Sequence, residues 1–472
     1  MLLGAFLGVS EPARADTSTA SRTLTLEEAL GRARSLSKEL KLARERIVIA
    51  EANLRRAWAL LKPRWDASFT YTHTEPPPPP FEIPAMPDLR GAVGIPACQR
   101  TDPNDPASIA DPTACTLSIL GAIVDSGEQP PLSIDFLRPD AALFRTGVQW
   151  SIFNGRALPA LANAQDTIDL EGDRFRAHER AFLLGVARAY YGAAAASDAV
   201  DVAVRGAERS KSRLAVSEQK AGVGELSSAV LRLERISARQ AEIDLARAVV
   251  ARRQALSALA YAIGDTEPIT AVVPPPPPQA PEDSADVLAQ RALDQRDDVR
   301  AARLGVAVAE RAYAEVWWRF APTISLFGNY RYTNVVGFGA GNDEWAVGVA
   351  ASMLLYDGGL RYADLAEADS AIRSAHLSLE RLEETVRQEI SRAQLRLDAA
   401  ALALDRAEEV LGLAEERSAL TRTQYEAGAA REIELQEALD DVRTAEVGVV
   451  SARFERDVAI LELQQAAGLF QP

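Results

Sequence analysis

The chain has 472 residues, with 52 Lys+Arg against 67 Asp+Glu and a net charge of −15, so it lacks the basic balance that a nucleic-acid partner demands. An apolar content of 47% supplies material for a packed core, and an aromatic content of only 6%, beside abundant alanine, favours long helices. Three histidines and two cysteines leave little for metal or nucleophilic chemistry. His73, His178 and His376 are scattered without HExxH spacing, Cys98 and Cys115 do not form CxxC, and neither a GxSxG elbow nor a GxxxxGK[ST] loop occurs. No catalytic acid, base or nucleophile and no zinc spacing stands out, so no enzyme and no metal site is predicted.

In chain order, the first expectation is a signal peptide over residues 1–15. A short apolar stretch, Leu2 to Val9, is followed by Ala13-Arg14-Ala15, an A-x-A cleavage pattern that makes Asp16 the expected mature start. No later window holds 18 consecutive apolar residues, so no helix is predicted to cross a bilayer.

The rest reads as two copies of one pattern, residues 16–264 and 284–468, joined by a linker over 265–283. Ala50-Glu51, Trp58 and Pro63 recur as Ala309-Glu310, Trp317 and Pro322 at an offset of 259. Ile152-Phe153-Asn154-Gly155-Arg156 corresponds to Leu355-Tyr356-Asp357-Gly358-Gly359, and Lys220-Ala221-Gly222 to Glu426-Ala427-Gly428. Each copy closes on a glycine, Gly264 or Gly468. The linker carries five consecutive prolines, which adopt extended polyproline geometry.

Within each copy the period changes from two to seven. Strands are predicted at about 65–74 and 144–153, and again at about 323–335 and 345–356. Trp65, Ala67, Phe69 and Tyr71 share one face against Asp66, Ser68, Thr70 and Thr72; Phe144, Val148, Trp150 and Ile152 share a face on the return strand. Each strand is about ten residues, the length that a tilted membrane strand needs, although a sheet lying on a soluble core alternates in the same way. A long loop, 75–143, separates the first pair, and the Gly-rich segment from Gly337 to Gly341 connects the second. Helical hairpins follow at 157–264 and 359–468. Ile390, Leu397, Leu404 and Leu411 recur every seven residues, and so do Ala393, Ala400, Ala407 and Ala414, which is coiled-coil spacing.

Four amphipathic strands are too few to close a barrel, for which about eight is the smallest common number, and open strand edges are not tolerated in lipid. If the strands lie in a membrane, several chains must share one barrel; three would supply twelve strands. At this point the sequence resembles the TolC-like outer-membrane efflux protein family. The resemblance rests on Leu24-Thr25-Leu26-Glu27-Glu28-Ala29-Leu30, the two strand-to-helix junctions, both glycine turns and the duplication. It implies a mainly α fold with membrane β structure, in which four strands per chain join a shared trimeric 12-stranded barrel. It also implies location in the outer membrane and periplasm, and a passive exit duct for efflux or type I secretion that uses no cofactor. The implied partners are two further copies, outer-membrane lipid, a periplasmic adaptor and an inner-membrane transporter. A periplasmic adaptor, or a soluble coiled-coil scaffold, is the alternative reading.

Three site expectations accompany the resemblance. The hairpin ends would meet the adaptor through Gly222, Val223, Gly224, Leu226, Gly428, Ala429 and Ile433. The face carrying Glu434, Glu437 and Asp441 would line the periplasmic aperture, with Glu434 and Glu437 at the family's acidic positions. The acid that the family places after the first turn falls near Ser228, so a latch on that side is not expected. The 75–143 loop would face outside the cell, an oxidising compartment that permits a Cys98–Cys115 disulfide.

Overall fold

The computed structural model describes residues 23–76, 81–83, 109, 111–125, 132–134, 139–335 and 341–470. The predicted signal peptide, Cys98 and Gly337–Ala340 lie outside the described residues. In chain order the elements are β1 (Thr23–Leu24), α1 (Leu26–Leu36), α2 (Lys38–Ala59), β2 (Arg64–His73), β3 (Phe81–Ile83), α3 (Pro112–Asp125), β4 (Leu132–Ile134), β5 (Asp140–Asn154), α4 (Ala157–Gly222), α5 (Ser228–Ile263), β6 (Ala271–Val272), α6 (Ala285–Gln295), α7 (Asp297–Trp317), β7 (Thr323–Thr333), β8 (Asp343–Ser352), α8 (Leu360–Glu426) and α9 (Glu432–Ala466). They fall into two compact units: one holds the helices, and the other, Trp58–Ala157 with Phe320–Tyr356, holds the larger sheet.

In the helical unit, α4 and α8 have 66 and 67 residues, about 100 Å each at 1.5 Å per residue. Their return helices, α5 and α9, have only 36 and 35 residues. The second repeat shows how the remainder of a long helix is covered. Val386 and Ile390 of α8 pack with Leu288 and Leu293 of α6 and Val299 of α7. Further along, Leu404 meets Val449 and Ala452, and Ala414 meets Val442 and Ala445, so the seven-residue rows are the α8–α9 seam. In the first repeat Leu183, Val186 and Tyr190 of α4 pack with Leu256, Leu259 and Ile263 of α5 and with Ala29, Leu30 and Ala33 of α1.

The first helix of each repeat is broken in two, at Ser37 and at Arg296, which are 259 positions apart. Thr25 and Glu28 form a capping box at the start of α1, so the Thr-Leu-Glu-Glu sequence is a helix-start device. Ser37 ends α1, and its hydroxyl accepts the Leu40 amide as α2 begins. Arg296 donates to Asp298 and Glu389 at the second break.

The linker is strapped to the helices. β1 and β6 pair in parallel, Thr23 with Ala271 and Leu24 with Val272. The fully buried Tyr190 hydroxyl stands 2.8 Å from the Leu24 carbonyl and 2.7 Å from that of Val273, while Tyr191 donates to the Pro276 carbonyl.

In the sheet unit four antiparallel strands run in the order β2-β5-β7-β8. Opposed residues share a face, and the register aligns Trp65 with Val148, Phe69 with Phe144, Tyr330 with Trp345 and Leu326 with Val349. One face is therefore apolar across all four strands, and it is open: Trp65 is 79% exposed, Trp345 74% and Phe69 69%. The other face carries Asp66, Ser68, Arg145, Gln149, Asn329 and Arg331, together with Phe327, whose ring lies over Gly348. A Cβ at Gly348 would stand 2.7 Å from the Phe327 ring, so any larger residue there would displace that ring. A bulge between Ser151 and Phe153 sets Phe153, not Ile152, opposite Ile324.

The 75–143 segment, expected as loop, contains α3 and the β3–β4 ladder. Asp111 starts α3 by accepting from the amides of Thr113 and Ala114, Pro112 occupies the first helical position, and residues 113–124 contain neither proline nor charge. Cys115 on α3 is buried and disulfide-bonded.

Candidate functional site

Both glycine turns lie in the helical unit. At the first, α4 continues through Gly222, and the left-handed residue is Gly224, at φ 81°. Its amide bonds to the Ala221 carbonyl, and the next amide, Glu225, reaches back to Lys220. Gly224 therefore does the work that the repeat alignment assigns to Gly222. Ser227 then caps α5 by accepting the Val230 amide. At the second turn Gly428, at φ 77°, occupies the left-handed position as expected, and the Ala429 amide bonds to the Gln424 carbonyl. Val223 is 72% exposed and Ile433 47%; Ala429 is exposed and Leu226 half-buried.

The three acids expected on one face all lie on α9, with unequal surroundings. Glu434 closes a capping box with Arg431: its carboxylate accepts the Arg431 amide at 3.0 Å and the guanidinium at 2.8 Å. Those bonds, the backbone one foremost, hold its pKa below the usual carboxylate value. Asp441 pairs across the hairpin with Arg417 of α8. Glu437 is exposed and, among the described residues, makes no hydrogen bond or ion pair. The structure thus distinguishes one open carboxylate from two that are partly neutralised. Ser228 is the first residue of α5, and its hydroxyl lies 3.5 Å from Arg232 of its own helix.

A second group near the turns was not among the expectations. Glu234 of α5 is buried, and Gln436 of α9 donates to it. Glu432 hydrogen-bonds Tyr425, and this, with burial, pushes the phenol up to about 12. Lys220 near the end of α4 stands 5.9 Å over the Tyr425 ring, a cation–π contact that links the first turn to the second. Beside this group runs a groove of about 250 Å³ with Leu233 and Ile236 on one side and Ile433 and Gln436 on the other. The sequence did hold a signal for Glu234: it precedes Ala238 and Ala241 at spacings of four and seven, an acid in a buried row. Further along the same junction, Arg443 of α9 pairs with Asp244 of α5, and Glu446 of α9 with Arg209 of α4.

No group of three or more potential metal ligands occurs among the described residues, and no described helix is long and apolar enough to cross a membrane. Residues 288–469 match the family model described as outer membrane efflux protein. Protein CyaE of Bordetella pertussis is 28% identical over 332 residues, covering 68% of this chain and 69% of its own length. Outer membrane protein OprJ of Pseudomonas aeruginosa is 24% identical over 239 residues, 48% of this chain and 49% of its own. Among solved structures, the outer membrane protein VceC of Vibrio cholerae superposes with a TM-score of 0.68 at 16% identity, covering 94% of this chain and 96% of its own.

Proposed function

We infer that this chain, whose residues 288–469 belong to the outer membrane efflux protein family, is one protomer of a trimeric exit duct in the outer membrane. The observation that carries the reading is the four-stranded sheet. Its apolar face is open, and the outer edges of β2 and β8 have no partner strand among the described residues. Water does not favour such a face, and lipid does not tolerate such edges, so both demand neighbours. Pairing β8 of one copy with β2 of the next, three times over, would give a closed 12-stranded barrel. The helical unit then occupies the periplasm. A periplasmic adaptor would engage the turns, and an inner-membrane transporter would deliver the cargo. This reading assigns the chain no chemical step.

The test is the assembly itself. Protein extracted from outer membranes in detergent should run as a trimer in native mass spectrometry and conduct ions in a planar bilayer. A monomer that stays soluble without detergent would support the coiled-coil scaffold instead.

The loop between β2 and β5 belongs to the outer-surface side in this reading, and Cys98 is the proposed partner of Cys115. Unreduced, denatured protein should take up no thiol label, and reduced protein should take up label at both cysteines. Closing a loop of about 15–20 residues contributes on the order of 3 kcal/mol to the ordering of this segment. Two labelled thiols before reduction would exclude the bond.

A further inference from the structure

Glu234 is 1% exposed, at the junction of the two hairpins. Every neighbouring element presents a polar group to it: α9 presents Glu432 and Gln436, α8 presents Tyr425, and α4 presents Arg213. The Gln436 amide nitrogen donates to Glu234 Oε1 and also lies 3.5 Å from Glu432 Oε1, so one nitrogen stands between two carboxylates. Arg213 does not pair with either acid. Its Nη2 donates to Ser210 and Ser237, at 3.3 and 3.4 Å, while its Nε and Nη1 are buried without a hydrogen-bond partner. Glu234 Oε2 is likewise buried and meets no hydrogen-bond donor. Two carboxylates facing one another, with a single guanidinium held off to the side, cannot both keep a full charge away from water.

We propose that Glu234 carries a proton directed at Glu432, which joins α5 of the first hairpin to α9 of the second beside both turns, and that its loss drives the hairpin ends apart. The protonated Glu234 donates to Glu432; with the proton gone, the two like charges repel across the junction. Burial foremost, then the hydrogen bond with Glu432, pushes the Glu234 carboxyl up to about 7. The direction of the pH effect follows. A carboxyl raised in the joined state favours joining fully below its ordinary value, and this advantage is lost as pH rises through about 7. A rise of that size corresponds to proton binding on the order of a hundred times tighter in the joined state. Arg443–Asp244 and Arg209–Glu446 are pairs of opposite charge, and the far end of the junction is apolar around Leu183, Leu259 and Leu461. Near the turns the proton acts beside the Lys220–Tyr425 cation–π contact and the Gln436–Glu234 hydrogen bond, which also cross between the hairpins.

The experiment uses the full-length protein in lipid nanodiscs, with spin labels at the exposed positions Arg239 of α5 and Asp440 of α9 as R239C and D440C. Label separations are measured by pulsed electron paramagnetic resonance between about pH 5.5 and about pH 8.5. The separation should lengthen as pH rises, with a midpoint near 7, and E234Q should hold the short separation throughout. A separation independent of pH in the parent, or a pH transition retained in E234Q, overturns the proposal. If E234Q does not fold, E432Q serves: removing the repelling charge should abolish the lengthening, and an undiminished transition there overturns the proposal equally. The readout needs no transport, so it stands or fails apart from the channel reading.

Discussion

A Gly224→Arg, Ala429→Arg double variant is expected to reduce export to background while trimers assemble as before. The proposed contact with an adaptor lies at the two turns, where Val223 and Ile433 offer exposed apolar surface. A Cβ at Gly224 would meet nothing within 4 Å, so an added side chain points into open space and does not disturb the protomer's packing. The cost inside the chain is the left-handed backbone at φ 81°, about 1–2 kcal/mol for a residue with a Cβ. Gly224→Ala carries that strain without the bulk or the charge and is the control; it should export nearly normally. Export assays in a strain lacking the native gene, with trimers checked by native mass spectrometry, decide the matter. Full export by the double variant would exclude docking at these turns.

The second large effect is expected at the aperture. A Glu434→Ala, Glu437→Ala variant should lose most of its cation selectivity, and block by trivalent cations from the periplasmic side should weaken at least tenfold. Threefold symmetry would bring equivalent carboxylates toward one axis, where their fields add. Each contact between unit charges at about 4 Å is worth roughly 1 kcal/mol in water, and a trivalent ion multiplies this. The structure divides the effect between the two residues. Glu434 is tied to Arg431 through its capping box, and Glu437 has no such partner, so Glu437→Ala alone should account for most of the change. The Glu434 contribution should persist to low pH, because its carboxyl sits below the usual range and gains a proton only when pH falls beneath it. Planar-bilayer reversal potentials and blocking titrations measure both quantities. Unchanged values in the double variant would assign these acids to an ordinary wetted surface.

The amino-acid sequence alone was enough for whatever depends on local periodicity. The duplication, the alternation from Trp65 to Tyr71 and the heptads from Ile390 to Ala414 are patterns along one chain, and the seam and the apolar sheet face follow from them directly. The acids on α9 were legible as a row for the same reason. Three kinds of feature were not. Backbone conformation is one: two glycines flank Val223, and only the observed φ identifies Gly224, not Gly222, as the left-handed residue. Interruptions of a period are another: the bulge at Ser151–Phe153 and the helix breaks at Ser37 and Arg296 lack the Pro or Gly that would mark them. The third is pairing at a distance. Whether Asp441 is open or held by Arg417, and whether Glu234 faces water or Glu432, depends on which helices the fold sets side by side. Charge and burial at such positions are properties of neighbours far apart in the chain, so they were decided by the packing of α5, α8 and α9 against one another.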